Sequence, residues 1–493
     1  MYLLGIDIGT SSIKASVVDV ITKKCIAAAQ YPDSETSITS LQAGWAEQSP
    51  ELWWHHVQEA ILKLNASKKY NPAEITAIGI AYQMHGLVLV DKDQNVLRDS
   101  IIWCDSRAVA LGDNAFDRIG HEKCLSHLLN APGNFTASKL AWVKENEPAI
   151  YEKIATVMLP GDFISMKFTG EITTSIAALS EGIFWDFKNN SLSEDVLNHY
   201  GFSKSMLPTI QNVFSNHGML HATIANKLSL KTGIPVTYKA GDQPNNALSL
   251  NVLEPGEVAA TAGTSGVIYG VTDIVTYDQK SRVNTFAHVN HTENLNRLGV
   301  LLCINGTGIL NSWVKKMVGA QLNYDQMNQA AASIKPGSDG LQILPFGNGA
   351  ERMLGNKMIG AHLGKIDFNQ HSAAHIFRAA QEGIAYAFRY GLDIMRENGM
   401  KPSIIRAGHA NMFLSETFTE AFVNATNVPV ALYHSDGSVG AALGAGIGSG
   451  VYANAKEAFA DFNPIKLVEP RKQVEYNELY LSWKAELDKQ LSS

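Results

Sequence analysis

One pattern occurs twice in this chain and restricts its fold more than any other feature. DIGTSSIKASVVD stands at residues 7–19, and TAGTSGVIYGVTD returns at 261–273. In both, an apolar run meets a Gly-Thr-Ser turn and an alternating run leaves it, which predicts a tight β-hairpin. Strands surround both turns, and each turn holds the same place in its half. The chain therefore reads as two related α/β domains in tandem, 1–250 and 251–493, derived from an internal duplication. Its 493 residues are enough for two full cores.

The neighbouring segments agree with that reading. Leu3–Ile8, Ile13–Val20 and Cys25–Gln30 predict three short strands. Ser49 and Pro50 open a helix in which Trp53, Val57, Ile61 and Leu64 recur at helical spacing. ITAIGIAYQ predicts a buried strand and GLVLVDKDQNVLRDSIIW a hairpin. Residues 105–235 read as mostly helical insertions, and GIPVTYKAGD as a strand ending on Asp242. LEPGE marks a turn and a domain boundary. In the second half the pattern predicts strands to Cys303, a helix from Ile309, a long helix near 372–397, and strands in SIIRAG and VPVALYH.

Composition removes several functions. A formal charge of −7 argues against general affinity for nucleic acid, whose phosphates need a basic face. The four cysteines are scattered and form no C-x-x-C, so neither a zinc site nor a disulfide framework is indicated. Such thiols, and the lack of a leader-like start, predict a cytoplasmic protein. The stretch 437–450 is too rich in glycine for a membrane span and reads instead as a closely packed helix.

The hairpins carry the chemistry. A turn tip exposes backbone N–H groups, and Gly9 lets a ligand approach them. Thr10, Ser11 and Ser12 add hydroxyls, and Lys14 a positive charge. Phosphate oxygens could be held there without a P-loop, and no G-x-x-x-x-G-K-[ST] occurs. Asp7 repels phosphate unless a cation lies between, which points to Mg²⁺ held partly through water. Taken alone, one such hairpin is equally a polar Asx-type turn. A second at Gly263–Ser265 suggests a clamp on one polyphosphate. Phosphoryl transfer also needs a group on the attacking hydroxyl. Asp242, at a strand end before a helix, is a candidate; by itself it also reads as a helix cap.

GIDIGTSSIK, GWAEQSPELWW, QMHG, IIWCDSR, GDQPNNA, AGTSG and DGSVGAALGAG resemble the FGGY carbohydrate kinases, in family order over nearly the whole chain. QMHG followed by W-x-D-x-R is most similar to the xylulokinase branch. The resemblance implies two tandem ribonuclease H-like domains of the sugar kinase, Hsp70 and actin superfamily, with a cleft between them. It implies ATP and Mg²⁺ as cofactors, and phosphorylation of a terminal hydroxyl of a ketose or polyol, D-xylulose first. Asp242 then matches the catalytic base, and Asp7 the acid near Mg²⁺ and phosphates, both serving the metal. Thr10, Ser11, Ser12 and Lys14 match the first phosphate hairpin, and Gly263 and Thr264 the second. Met84, His85, Trp103, Asp105 and Gln243 join Asp242 on the sugar side, although Trp103 by itself reads as a core aromatic. Gly306, Gly308 and Ser312 match nucleotide contacts, and Gly408 and Asn411 the adenine side. A homodimer is a family-level expectation, and neither nucleic acid nor membrane is an expected partner.

Two segments depart from the family pattern. AGHANMFLS, 407–415, is nearer the glycerol kinase form with its A-N-x-F-L than the usual xylulokinase motif. Pro244 follows Asp242 and Gln243, where it reshapes the sugar side. Glycerol, ribulose and fuculose are the alternative acceptors, and an ATPase without a sugar is the rival function. Glu351 and Arg352 read as an exposed pair.

Overall fold

Strand β1, Tyr2–Ile8, is apolar on both faces and nearly all of it is buried, as a strand covered by helices must be. The turn 9–12 leads to β2, Ile13–Asp19, antiparallel to β1 with Asp7 opposite Lys14. β3, Cys25–Tyr31, continues the antiparallel ladder. Helix α1, Pro50–Ala66, starts where the Ser49 side chain accepts the Leu52 N–H, and it buries Trp53, Val57, Ile61 and Leu64. β4, Ile75–Tyr82, runs parallel to β1, and β5, Val236–Gly241, runs parallel to β4. The first sheet thus has the order β5-β4-β1-β2-β3. β5 ends directly at helix α2, Asp242–Ser249.

The second half repeats the plan. In this computed structural model, which describes residues 1–492, β6, Glu257–Ala262, pairs antiparallel with β7, Gly266–Thr272. β8, Leu298–Ile304, lies next to β7. Helix α3, Gly308–Val318, and the long helix α4, Ala373–Glu397, follow. β9, Ile404–Gly408, is parallel to β6, and β10, Val430–Tyr433, is parallel to β9. The central order is β10-β9-β6-β7-β8, the same as in the first sheet. Two ribonuclease H-like α/β sheets built the same way match the duplication expected from the hairpins.

The chain divides into two packing units. The first holds Met1–Leu253, Phe286–Leu298 and Asp436–Phe462; the second holds Glu254–Thr285, Gly299–Ser435 and the residues from Asn463 on. This differs from a single cut at 250/251. The cause is helix α5, Gly437–Gly448, which packs on β1, β4 and β5 of the first sheet. Glycines on both surfaces make the approach possible. A Cβ on Gly5 would overlap Ser438 O, one on Gly79 would overlap Ala441 O, and one on Gly440 would overlap Ser249 Oγ. The glycine-rich 437–450 stretch is therefore a close-packed helix, as its composition predicted.

The expected hairpin at 86–103 is reduced to isolated bridges, Leu87 with Ile101 and Val90 with Val96. Val88–Val90 pairs instead with Thr156–Met158. A strand contributed from the insertion outcompetes the local partner, which sequence spacing alone does not reveal.

Candidate active site

Asp7 is the seventh residue of the chain and lies near the end of β1; Asp242 is the first residue of α2. Asp242 does not cap that helix: the cap position is Gly241, with no side-chain bond. Both residues are of intermediate exposure, and the dominant influence on each carboxyl is its burial. Burial, then repulsion from Asp7, pushes Asp242 up to about 7 from its ordinary 3.8. Burial, then repulsion from Asp436, pushes Asp7 up to about 6, with Lys14 opposing.

Asp436 caps α5 by accepting the Ser438 N–H at 2.9 Å. The next residue is a glycine because a Cβ on Gly437 would overlap the Asp7 carboxylate. Asn245 of α2 donates to Gly437 O at 2.9 Å. The Lys14 ammonium is exposed and stands 4.0 Å from Asp436. Three acids with one distant cation form a strongly anionic locus. Its donors are all carboxylate oxygens, the ligand set that suits a hard divalent ion.

The first hairpin closes with Gly9 N–H donating to Ser12 O at 3.2 Å. The Thr10 hydroxyl donates to Gln83 Oε1 at 3.2 Å and accepts from the Trp103 indole N–H at 3.0 Å. Ser11 is exposed and Ser12 partly so. Trp103 is not a core residue, being 54% exposed. It lies against the hairpin instead. The carbonyl of Thr10 is also tied down, since Gln48 Nε2 donates to Thr10 O at 2.8 Å.

After β4 the chain turns at Gln83-Met84-His85-Gly86. His85 has φ +62°, a left-handed conformation that is strained for a side-chain-bearing residue. Its N–H donates to Glu181 Oε1 at 3.2 Å, and its carbonyl accepts the Lys139 ammonium at 2.8 Å. Its ring Nδ1 is 3.1 Å from Glu181 O. A carbonyl only accepts, so Nδ1 carries the proton, and in the neutral ring Nε2 is the acceptor nitrogen. Phe135 and Phe286 pack on the ring at centroid distances of 4.7 and 5.5 Å. Met84 is buried and lies where a Cβ on Gly241 would fall, at 2.7 Å from its Cγ and 2.7 Å from Glu181 Oε2. Met84, His85 and Glu181 thus border the backbone that carries Asp242. Gln243 follows on α2, and its hydrogen bonds to the Asp242 carboxylate lower that group's proton affinity against the larger effect of burial.

Asp105 has a different task from the one expected. Its carboxylate is buried and receives the Ala46 N–H at 2.6 Å and Arg107 Nε and Nη2 at 2.9 and 2.7 Å. Arg107 in turn lies 3.8 Å over Trp45. Both carboxylate oxygens are committed to the protein, so Asp105 holds its loop and offers no free oxygen to a sugar.

The second unit contains a cavity of about 460 Å³. Gly263, Thr264, Gly308, Ser312 and Asn411, all expected on the nucleotide side, line it together. The second hairpin is docked on the start of α3: Gly308 N–H donates to Gly263 O at 2.9 Å, and Ile309 N–H to Thr264 O at 3.0 Å. Asn411 sits beside Gly263, with Nδ2 3.7 Å from the place of a Cβ there. Tyr324 and Leu414 form an exposed apolar rim that sequence reasoning missed.

Gly306 and Gly408 do not line this cavity. Gly306 is a packing glycine whose Cβ would overlap Pro345 O, and Gly408 ends β9. Glu351 and Arg352 are not an exposed pair. Glu351 is buried, accepts the Asn305 N–H at 2.9 Å, and is pushed up to about 7 by burial. Arg352 donates to Asn284 Oδ1 at 2.7 Å.

Glu181 and Lys139 were also missed. Both are distant in sequence from QMHG, and neither belongs to a recognisable spacing with it.

Comparison with known proteins finds two successive family domains in the chain. Residues 2–249 match the model of the N-terminal domain of the FGGY family of carbohydrate kinases, and residues 258–449 match that of its C-terminal domain. A xylulose kinase of Bacillus subtilis is 28% identical over 470 residues, 94% of this chain and 91% of that protein. A crystal structure of xylulose kinase from Rhodospirillum rubrum superposes with a TM-score of 0.89 at 24% identity, covering 99% of each chain. A structure of Plasmodium falciparum glycerol kinase with ADP gives 0.90 at 18% identity, covering 99% and 98%. Two differently named kinases superpose equally well, so the fold does not rank their acceptors.

Proposed function

The chain belongs to the FGGY family of carbohydrate kinases, and we propose that it phosphorylates a ketopentose with ATP, converting D-xylulose to D-xylulose 5-phosphate. One observation carries the catalytic part. The Asp242 carboxyl is pushed up to about 7 by its burial, and it follows Gly241, which Met84 and Glu181 border. A general base functions best with its pKa close to the working pH. The acceptor is supported by QMHG and by relatives named xylulose kinase.

In this mechanism the acceptor hydroxyl lies against Asp242, which takes its proton. The hydroxyl oxygen forms a bond to the γ-phosphorus as the bond to the β–γ bridging oxygen breaks, and ADP leaves. His85, through Nε2, and Trp103 bind and orient the sugar. The Gly9–Ser12 hairpin offers N–H and hydroxyl donors to the transferring phosphoryl group. Gly263, Thr264, Gly308, Ser312 and Asn411 hold the nucleotide in a cavity of suitable size. Asp7 and Asp242 fit Mg²⁺, held through water; when bound, it would offset the phosphate charge beside these carboxylates. The free thiols and the need for ATP agree with a cytoplasmic setting. No described helix is long and apolar enough to cross a membrane.

The test is ATP consumption with D-xylulose, D-ribulose, glycerol and L-fuculose supplied separately. D-Xylulose should give the highest kcat/KM. A preference for glycerol would replace the acceptor and follow the A-N-x-F-L segment, whereas hydrolysis indifferent to all four would remove the kinase assignment.

A further inference from the structure

Unit one contains two buried ionisable side chains that the mechanism above does not use. Lys139, on the helix Thr136–Asn146, is wholly buried, and Glu181, at the end of the helix Ile176–Glu181, is nearly so. Burying a charge is unfavourable unless it meets a partner. The nearby buried pair Lys239 and Asp162 bond each other at 2.7 Å. Lys139 and Glu181 are arranged otherwise. The Lys139 ammonium donates to the carbonyl of His85 at 2.8 Å, and the Glu181 carboxylate accepts the N–H of His85 at 3.2 Å. The N–H and the carbonyl of His85 are therefore both gripped by buried ionisable side chains, from two separate helices.

The gripped residue is the one in the left-handed region, at φ +62°. A histidine does not hold that conformation without surroundings that enforce it. The Glu181 carbonyl adds a third hold by fixing ring Nδ1 at 3.1 Å. Release of the backbone to an ordinary φ would swing the imidazole away from Phe135 and Phe286.

We propose that Lys139 and Glu181 are positioning residues that lock His85 in its left-handed conformation and thereby set the affinity for the sugar. This rests on the assignment of His85 as a sugar contact, and it adds two residues that act through it. Losing a buried hydrogen bond of this type leaves a backbone group unsatisfied, a cost large enough to be read in KM.

The experiment is steady-state kinetics of Lys139→Met, Glu181→Gln, Glu181→Ala and His85→Ala, and of the first three combined with His85→Ala. D-Xylulose and MgATP are varied in turn. Lys139→Met should raise KM for D-xylulose by about tenfold or more, with KM for ATP within about twofold of the parent. Glu181→Gln keeps an acceptor oxygen for the His85 N–H and should be milder than Glu181→Ala. In the His85→Ala background no partner substitution should raise KM further, because the ring they position is gone. Additive losses in that background overturn the proposal, as does an unchanged KM in both Lys139→Met and Glu181→Ala. If His85→Ala itself leaves KM untouched, the sugar assignment of His85 fails and takes the proposal with it. If Lys139→Met does not fold, the two Glu181 variants carry the same comparison.

Discussion

Replacing Asp242 by Asn should stabilise the protein while removing transfer. The carboxyl of Asp242 titrates at about 7 instead of 3.8, first because it is buried and then because of Asp7. An acid raised in the folded state adds stability that is fully present below its unfolded value and is lost as the pH rises through its folded value. The window here runs from about pH 4 to about pH 7. The gap is about three pKa units, each worth about 1.4 kcal/mol. At pH 8 the ionised side chain therefore weakens the fold by up to about 4 kcal/mol relative to a neutral amide of the same shape. At pH 5 the difference shrinks to under about 2 kcal/mol, and near pH 3 it is close to zero by the same linkage.

Thermal melts of parent and Asp242→Asn, without nucleotide, at pH 5 and pH 8 read this directly. The transition of the first unit should rise by roughly 5 °C at pH 8 and by much less at pH 5. Turnover should fall by about 10²–10⁴-fold. Added Mg²⁺ should raise the midpoint of the parent more than that of the variant, since it binds the charge that the variant lacks. An Asn variant no more stable than the parent at pH 8, or a gain that does not shrink on acidification, refutes the placement of an uncompensated carboxylate at this position.

Three other outcomes follow from the same geometry. Asp7→Asn removes the charge that repels the Asp242 carboxylate, so Asp242 should titrate lower than in the parent; carboxyl-carbon NMR of both proteins checks the direction. Gly5→Val places a Cβ against Ser438 O and Ala442 N of α5, and should cost about 1–3 kcal/mol or more in urea unfolding, because backbone cannot yield. Asn411→Ala should raise KM for ATP about tenfold through a lost hydrogen bond and leave KM for the sugar unchanged in the same assay.

What the sequence revealed and what it hid follow from the range of the interactions. The two Gly-Thr-Ser hairpins were legible because a tight turn is written in adjacent residues, and the repeated sheet order followed from their repetition. Asp242 was legible for a similar reason, lying at a strand end before a helix. The hold on His85 was not, since its two partners, Lys139 and Glu181, lie 54 and 96 positions away in sequence and leave no local pattern. The sugar-side reading of Asp105 and the default reading of Trp103 as a core aromatic depart from the structure for the opposite reason. A lone Trp is usually core and a lone Asp in a kinase motif is usually chemical, yet here the Asp is locked by Arg107 and Ala46 while the Trp stands exposed. Glu351 looked like a surface acid because nothing local shows that Asn305 would bury it with a backbone bond.

The segment DGSVGAALGAG joins the two levels. Its small residues let α5 approach β1, β4 and β5 so closely that Gly5, Gly79, Gly440 and Gly444 leave no room for a Cβ on either surface. Its first glycine answers a different demand. Gly437 faces the Asp7 carboxylate, and any side chain there would displace the group that the mechanism needs. Its Asp436 caps the helix and also raises the proton affinity of Asp7. Packing alone would favour an apolar residue in place of Asp7, because a carboxyl pushed up to about 6 by burial and repulsion weakens the fold at neutral pH. The arrangement makes physical sense where a cation and phosphates later supply the missing positive charge and donors. Unfavourable charge in the free protein and tight glycine packing around it are then two parts of one arrangement, in which a rigid helix holds repelling carboxylates ready for a ligand.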